Sequence, residues 1–185
     1  RGNEFLEYQK RIMGAGRLLA AENGNYIGQS PPWGYNKIRV KEGKRYCHTL
    51  EPDPEQAPLV VQIFEWYSQG IGTTSIADRL NALHVPAPRG PEWYANSINM
   101  MLRNEHYLGK VVWNKRKAVR RVENGQVVVS NPLAEKYLVY PGKHPAIVTQ
   151  ELWDRAQAVR GRQSRKRKDT RSVSFLFQRN SPCGE

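Results

Sequence analysis

Apolar positions along the chain fall into helical stripes in its first half and into alternating runs later. The clearest stripe lies in DPEQAPLVVQIFEWYSQG, residues 53–70, where Leu59, Val60, Ile63, Phe64 and Tyr67 recur at helical spacing. Asp53 can accept from the first amides of that helix, Pro54 suits its first position, and Gly70 ends it. TTSIADRLNALHV, residues 73–85, predicts a second helix capped by Thr73 or Thr74, with Ile76, Ala77, Leu80 and Leu83 facing inward. After the loop PAPRGPEW comes a third, YANSINMMLRN at 94–104, with Ile98, Met101 and Leu102 inward. Upstream, residues 3–24 carry Phe5, Leu6, Ile12, Met13, Leu18 and Leu19; Gly14 and Gly16 weaken the middle and Asn23-Gly24 stops the run. This narrow face, ringed by Lys10, Arg11 and Arg17, predicts a helix that leans on something outside the chain.

Two segments change to a period of two. In residues 28–53, Ile38 and Val40 alternate with basic residues, Glu42-Gly43 turns, and Tyr46 to Leu50 returns as a hairpin. Residues 107–130 alternate apolar with basic and turn at Asn124-Gly125, a strong short-range hairpin signal. HPAIVTQELWDRAQAVRGRQ, residues 144–163, predicts a short strand, then a helix capped by Thr149 with Leu152, Ala156 and Val159 inside. From Gly161 to about residue 172 the basic sequence predicts loose or disordered chain. No internal repeat is present. The fold class that follows is α+β: a winged-helix-like helical domain with a basic β-hairpin, preceded by the end of a long helix.

Two capped helices on a short glycine-containing turn, a third helix and a basic hairpin are the order of a helix-turn-helix with a wing. A B-form major groove is about 12 Å wide and admits one helix, while a hairpin can follow the backbone beside it. On the helix at 94–104 the outward residues are Tyr94, Asn96, Ser97, Asn99, Arg103 and Asn104, beside Arg89. Amides, hydroxyls and an arginine read base edges or hold phosphates. For Asn96 or Ser97 taken singly, a plain helix cap explains the residue equally well. Lys110, Lys115, Arg116, Lys117, Arg120 and Arg121 put a basic stripe on the hairpin. Charge guarding an edge strand would account for it too, but the charge of the whole chain favours phosphate contact.

That charge is +12, with a pI near 9.9. Residues 155–171 hold eight Lys or Arg against Asp169, so +7 of the excess lies in one stretch. A polyanion, most often nucleic acid, is the expected partner. The 39% hydrophobic content supports one domain or two small ones across 185 residues. No apolar run reaches the roughly 18 residues of a membrane span. Cys47 and Cys183 make no disulfide framework, which fits a reducing, cytoplasmic setting. His48, His84, His106 and His144 stand in no metal-ligand spacing, and no Walker loop, Gly-x-Ser-x-Gly or Rossmann glycine set occurs. The expectation is a binding module without catalytic residues, cofactor or metal. Because the chain starts at Arg1, it reads as a fragment or a processed product.

NYIGQSPPWGY, then QIFEWYSQGIGTTSIADRLNALHVPAPRG, then SINMMLRNEHYLGKVVWNK, then HPAIVTQELWDRAQ, taken in this order and spacing, resemble the recombinase domain of large serine recombinases. That family includes phage integrases and transposon resolvases, and the resemblance runs from about residue 11 to 160. It implies that residues 1–27 are the end of a linker helix from a catalytic domain carrying the serine nucleophile. It further implies that 28–160 form the DNA-binding recombinase domain, and that 161–185 lead toward a zinc ribbon. Zinc would belong to that ribbon, of which Cys183 in SPCGE is a vague beginning. The implied partner is a duplex attachment site, bound largely through the major groove in a bacterial cytoplasm, with the parent a dimer or tetramer that cuts and rejoins DNA. The SPPWGY segment resembles the family's PPYGY, with Trp33 where tyrosine is usual. Its prolines and aromatic rings read as a rigid corner rather than as a base contact.

The expected DNA contacts are Arg17, Lys37, Arg39, Arg89, Tyr94, Asn96, Ser97, Asn99, Arg103, Asn104, Lys115, Arg116 and Lys117. Three rival readings remain at this level. They are a free-standing winged-helix regulator, an RNA-binding protein stacking bases on Trp33, Trp93 and Trp113, and a basic face that meets an acidic protein.

Overall fold

The computed structural model describes residues 2–116, 118–123, 125–132, 134 and 136–174. Lys117, Asn124 and Cys183, each named above, lie outside the described residues. The chain divides into two compact units, Arg1–Val60 with Asn104–Ile147, and Val61–Arg103 with Val148–Glu185.

The first unit opens with α1 (Gly2–Glu22). The helix closes as its sequence predicts: Gly24 takes φ +72°, its amide donates to Ala21 O, and the Asn25 amide donates to Ala20 O. A side chain at Gly24 would also strike the Pro141 carbonyl, 2.8 Å from where its Cβ would lie. Strands β1 (Tyr35–Glu42) and β2 (Arg45–Pro52) form the expected antiparallel hairpin, Tyr35 opposite Pro52 and Glu42 opposite Arg45. The other basic segment differs from expectation. Strand β3 (Lys110–Trp113) pairs with β6 (Leu138–Pro141), and the hairpin itself is the shorter pair β4 (Val119–Glu123) and β5 (Gln126–Ser130). The strand expected after residue 144 therefore lies earlier, at 138–141. Val111 is buried while Val122 and Val127 are exposed, so burial, not alternation alone, decided which apolar run joined β3.

The core of this unit is aromatic and hydrogen-bonded. Tyr35 stacks on Tyr107 with centroids 5.9 Å apart and meets the edge of His144 at 5.5 Å. The Tyr35 hydroxyl donates to Pro145 O at 2.8 Å, and the Tyr107 hydroxyl donates to Trp33 O at 2.8 Å. His144 Nε2 lies 2.9 Å from His106 O, and His106 Nδ1 lies 2.7 Å from Lys110 O. The corner SPPWGY is part of this weld. Gly34 takes φ +93° with Val60 packed against its Cα, and its amide donates to Gln56 Oε1. A Cβ there would sit 2.6 Å from Val60 Cγ2, so only glycine fits. The rigid corner expected from the prolines is present.

The second unit is helical. It takes in α2 (Ala57–Ser68) from Val61 onward, α3 (Thr73–Ala82), α4 (Ala95–Met101) and α5 (Gln150–Ser174). Asp53 Oδ1 accepts from the amides of Glu55 and Gln56, the cap its position predicts for α2. Helix α3 has Gly72 at its N-cap and no side-chain cap, so neither Thr73 nor Thr74 performs that role. Leu83, expected inward, is 61% exposed. The reason is local: His84 turns to φ +53°, with its amide on Asn81 O and the Val85 amide on Leu80 O, which ends the helix before Leu83 can join its buried stripe. Ile63, Phe64, Ile76, Leu80, Ile98, Leu102 and Ala156 are fully buried, and Phe64 stacks on Trp153 at 5.6 Å. Thr149 Oγ1 accepts from the Leu152 amide, the expected cap of α5. That helix does not stop at Gly161; its backbone stays helical to Ser174, correcting the loose segment expected there. One helical glycine costs about 1 kcal/mol against alanine, and the Arg, Lys and Gln that follow are good helix formers.

Candidate nucleic-acid interface

Helix α4 is shorter than its sequence predicts. Tyr94 is its N-cap and Leu102 its C-cap, so Arg103 and Asn104 stand beyond its end. Ile98, Met101 and Leu102 anchor it in the core, as expected. Neither Asn96 nor Ser97 caps it, since no side chain makes an N-cap hydrogen bond. Tyr94, Asn96 and Arg103 are exposed, while Ser97 and Asn99 are half-buried. Asn99 Nδ2 donates to Ala95 O at 2.9 Å, which leaves its Oδ1 as the acceptor it can offer outward. Met100, 62% exposed, belongs to the same outward surface and was missed; its place four residues after Asn96 on a helix was the available signal. Arg89 is exposed on the loop that leads into α4.

That loop is held by a side chain that imitates backbone. Asn81 Oδ1 accepts from the Trp93 amide at 2.8 Å and its Nδ2 donates to Trp93 O at 3.0 Å. The Trp93 indole donates to Val85 O at 3.0 Å and its ring is 2% exposed. Trp93 is therefore a fixed pin that starts α4, and a ring so enclosed cannot stack on a base.

Beyond the C-cap, Gln157 of α5 reaches Leu102 O with its Nε2 at 2.7 Å and accepts from Arg160 Nη1 at 2.9 Å. Burial, and then the nearby Arg103 guanidinium, lower the Arg160 pKa from its usual value. Neither Gln157 nor Arg160 was singled out from sequence.

The remaining expected contacts sit in the first unit. Arg17 is exposed on α1. Lys37 spends its ammonium on Gly28 O at 3.0 Å and Gln29 O at 3.3 Å, with the Tyr26 ring 5.8 Å away. Arg39 is exposed and lies over the Tyr46 ring at 4.0 Å. Asn104 accepts from the His106 amide and so starts the 3-10 turn Glu105–Leu108. Lys115 pairs with Glu105 at 2.9 Å, and Glu105 also accepts from the Tyr137 hydroxyl. Arg116 is exposed and donates to Asn131 O at 3.0 Å. Of this set Arg17, Arg39 and Arg116 are exposed, and Lys37, Lys115 and Arg116 already hold protein acceptors. Among the described residues no three His, Cys, Asp or Glu side chains stand close enough to share a metal ion. No helix there is long and apolar enough to cross a membrane.

Several known proteins are similar to this chain. A Bacillus subtilis (strain 168) protein named "Putative DNA recombinase" is 25% identical across 95% of this chain, which spans 36% of that relative's length. The crystal structure of an LSR–DNA complex (LSR, large serine recombinase) superposes with a TM-score of 0.56 at 20% identity, covering 83% of this chain and 40% of the other. A structure from work on the sequence requirements of the Listeria innocua prophage attP site gives 0.55 at 20% identity, covering 82% and 52%. These likenesses carry the mixed helix-and-strand fold. The Recombinase family model matches residues 54–163, from the residue after the cap of α2 through the fourth turn of α5. More than half of the sequence lies within that span, and the chain belongs to the Recombinase family.

Proposed function

We propose that this chain is the DNA-binding part of a site-specific recombinase of the large serine type, and that it holds one half of a duplex attachment site. The carrying observation is α4: a short helix pinned by Ile98, Met101 and Leu102, with Tyr94 at its N-cap, Asn96 on it and Arg103 just past its C-cap, all three exposed. Polar ends on a helix that fits a major groove are what base reading requires. In this reading α2, α3 and α4 act as a winged-helix-like reader and β4–β5 as the wing beside the phosphates. Residues 1–27 serve as the end of the linker helix, 28–160 as the DNA-binding domain and 161–185 as a basic linker toward a zinc ribbon. Strand cutting by a serine nucleophile, and assembly into a dimer or tetramer on DNA, belong to the parent enzyme. The chain alone binds without cutting and works in a bacterial cytoplasm. The relatives' association with DNA and the charge of +12 support the reading.

Selection from a random duplex pool at physiological salt tests it. An enriched motif of half-site length is the expected result. Salt-sensitive retention of every sequence alike would reject base reading by α4.

A further inference from the structure

A cleft of about 320 Å³ opens in the first unit between the last turns of α1 and the turn end of the β1–β2 hairpin. Tyr26, which follows α1, closes one side. Its amide donates to His48 O at 2.7 Å and its hydroxyl donates to Ser30 O, so the ring is held in place. Leu19 and Ala20 of α1 and the Tyr46 ring of β2 supply the other apolar walls. Asn25 also lines the cleft and is only 8% exposed. Its Oδ1 is buried, and among the described residues no donor reaches it. A buried acceptor without a donor is costly, and a donor that enters the cleft removes the cost. None of the expected DNA contacts lines this cleft.

We propose that this cleft binds one nucleotide whose base carries an amino group, with Asn25 Oδ1 accepting from that amine. The walls suit a flat apolar body, and the floor suits a neutral N–H donor. The rim suits an anion. Arg45 stands there, exposed. The cations of Lys37 and Arg39 lie 5.8 Å and 4.0 Å from the centroids of the Tyr26 and Tyr46 rings. Glu42, the one acid among the lining residues, already holds Lys143. A guanidinium or ammonium ligand could also donate to Asn25, but it would enter a cationic surround whose one carboxylate is engaged. A nucleobase is neutral and planar, donates through its amine, and carries its phosphate at the far end, where an arginine fork suits it. The cleft lies at the small end of the range of ligand pockets, which fits a single nucleotide and not a duplex. The same chemistry comes from a free mononucleotide or from an unpaired strand end, and the test separates the two. The inference goes beyond the DNA-binding reading and does not depend on it.

The test uses the whole chain at physiological salt as C183S, so that Cys47, a half-buried thiol on the lining, is the only cysteine. The rate at which iodoacetamide alkylates Cys47 reads occupancy of the cleft. Saturating 5′-AMP should slow that rate. Purine riboside 5′-monophosphate, which lacks the amine, should bind about threefold to tenfold more weakly. N25A should erase this discrimination. G16M should abolish protection by any nucleotide. Gly16 lines the cleft, a Cβ on it would meet no atom within 4 Å, and methionine forms helix better than glycine. Circular dichroism melts show whether each variant is folded. If N25A is not, G16M and the pair of nucleotides decide alone. Protection by 5′-AMP assigns a free nucleotide, and protection by a short single-stranded oligo(dA) alone assigns a strand end. Protection by neither at millimolar concentration overturns the site. Equal binding of the two nucleotides, or undiminished protection in G16M, overturns it as well. So does inorganic phosphate that protects as strongly as 5′-AMP, since that marks attraction of charge alone. Each of these failures leaves the DNA-binding reading standing.

Discussion

The two units are held by different chemistry. In the first, Tyr35, Tyr107, His106 and His144 are tied to backbone carbonyls of Pro145, Trp33, Lys110 and His106. In the second, Ile63, Phe64, Ile76, Leu80, Ile98, Leu102 and Trp153 pack as a mostly hydrocarbon core with one buried phenol, Tyr67, and Asn81 is one of its polar ties. A mostly hydrocarbon core responds chiefly to lost volume and little to acid. A core of phenols and imidazoles responds to protons as well, because each must stay neutral to remain buried.

The largest expected effect falls on the second unit. F64A removes a fully buried ring stacked on Trp153 and should cost about 3–5 kcal/mol, read as a drop in the urea midpoint. A cost below about 1 kcal/mol would mean that this core is loosely packed, and the contrast would fail.

Acid should act on the first unit. Burial holds His106 down at about 4 and lowers His144 in the same direction. Both fall below the ordinary histidine value of 6.5, so the unfolded chain takes up protons first as pH drops. Stability is complete above pH 6.5 and is lost as pH falls toward about 4, by up to on the order of 3 kcal/mol from His106. Melting temperature against pH reads this loss, and H106Q should flatten the curve across that window. If H106Q keeps the full acid loss, the imidazole is not its source. The alkaline limb has the opposite sign. Burial raises Tyr35 to about 12, so its contribution is present below pH 10 and disappears as pH rises toward 12.

Smaller effects sharpen the contrast. Y35F keeps the ring but leaves the Pro145 carbonyl without its phenol donor, and should cost about 1–2 kcal/mol with little change in the denaturant slope. I12S on α1 should change stability by less than about 0.5 kcal/mol, because Ile12 is 53% exposed. A larger loss would show that α1 is covered in solution.

How much of this the sequence disclosed follows the same division. Stripes at helical spacing located α2, α3 and α4, and Asp53 and Thr149 marked real caps, because these signals are local. The pairing of β3 with β6 was hidden because it joins residues more than twenty positions apart, and an Asn-Gly turn between them offered a nearer partner. Trp93 and Asn81 were hidden because their tie depends on where a loop returns. The candidate contacts were legible as residue types, but not which of them were already engaged. Lys37 and Lys115 look like their neighbours in sequence, and only the fold shows the carbonyls and the carboxylate that occupy them.

The β3–β6 pair also closes a stem. Between Trp113 and Leu138 the chain makes an excursion that includes β4 and β5, and no described residue within it is buried. Lengthening such an excursion costs little, since closure entropy grows only with the logarithm of loop length. Extra residues placed beside Gly125 would leave the stem and its register unchanged. The tip of β4–β5 is thus where this chain can accept an inserted tag, a fluorophore or a whole small domain without refolding around it.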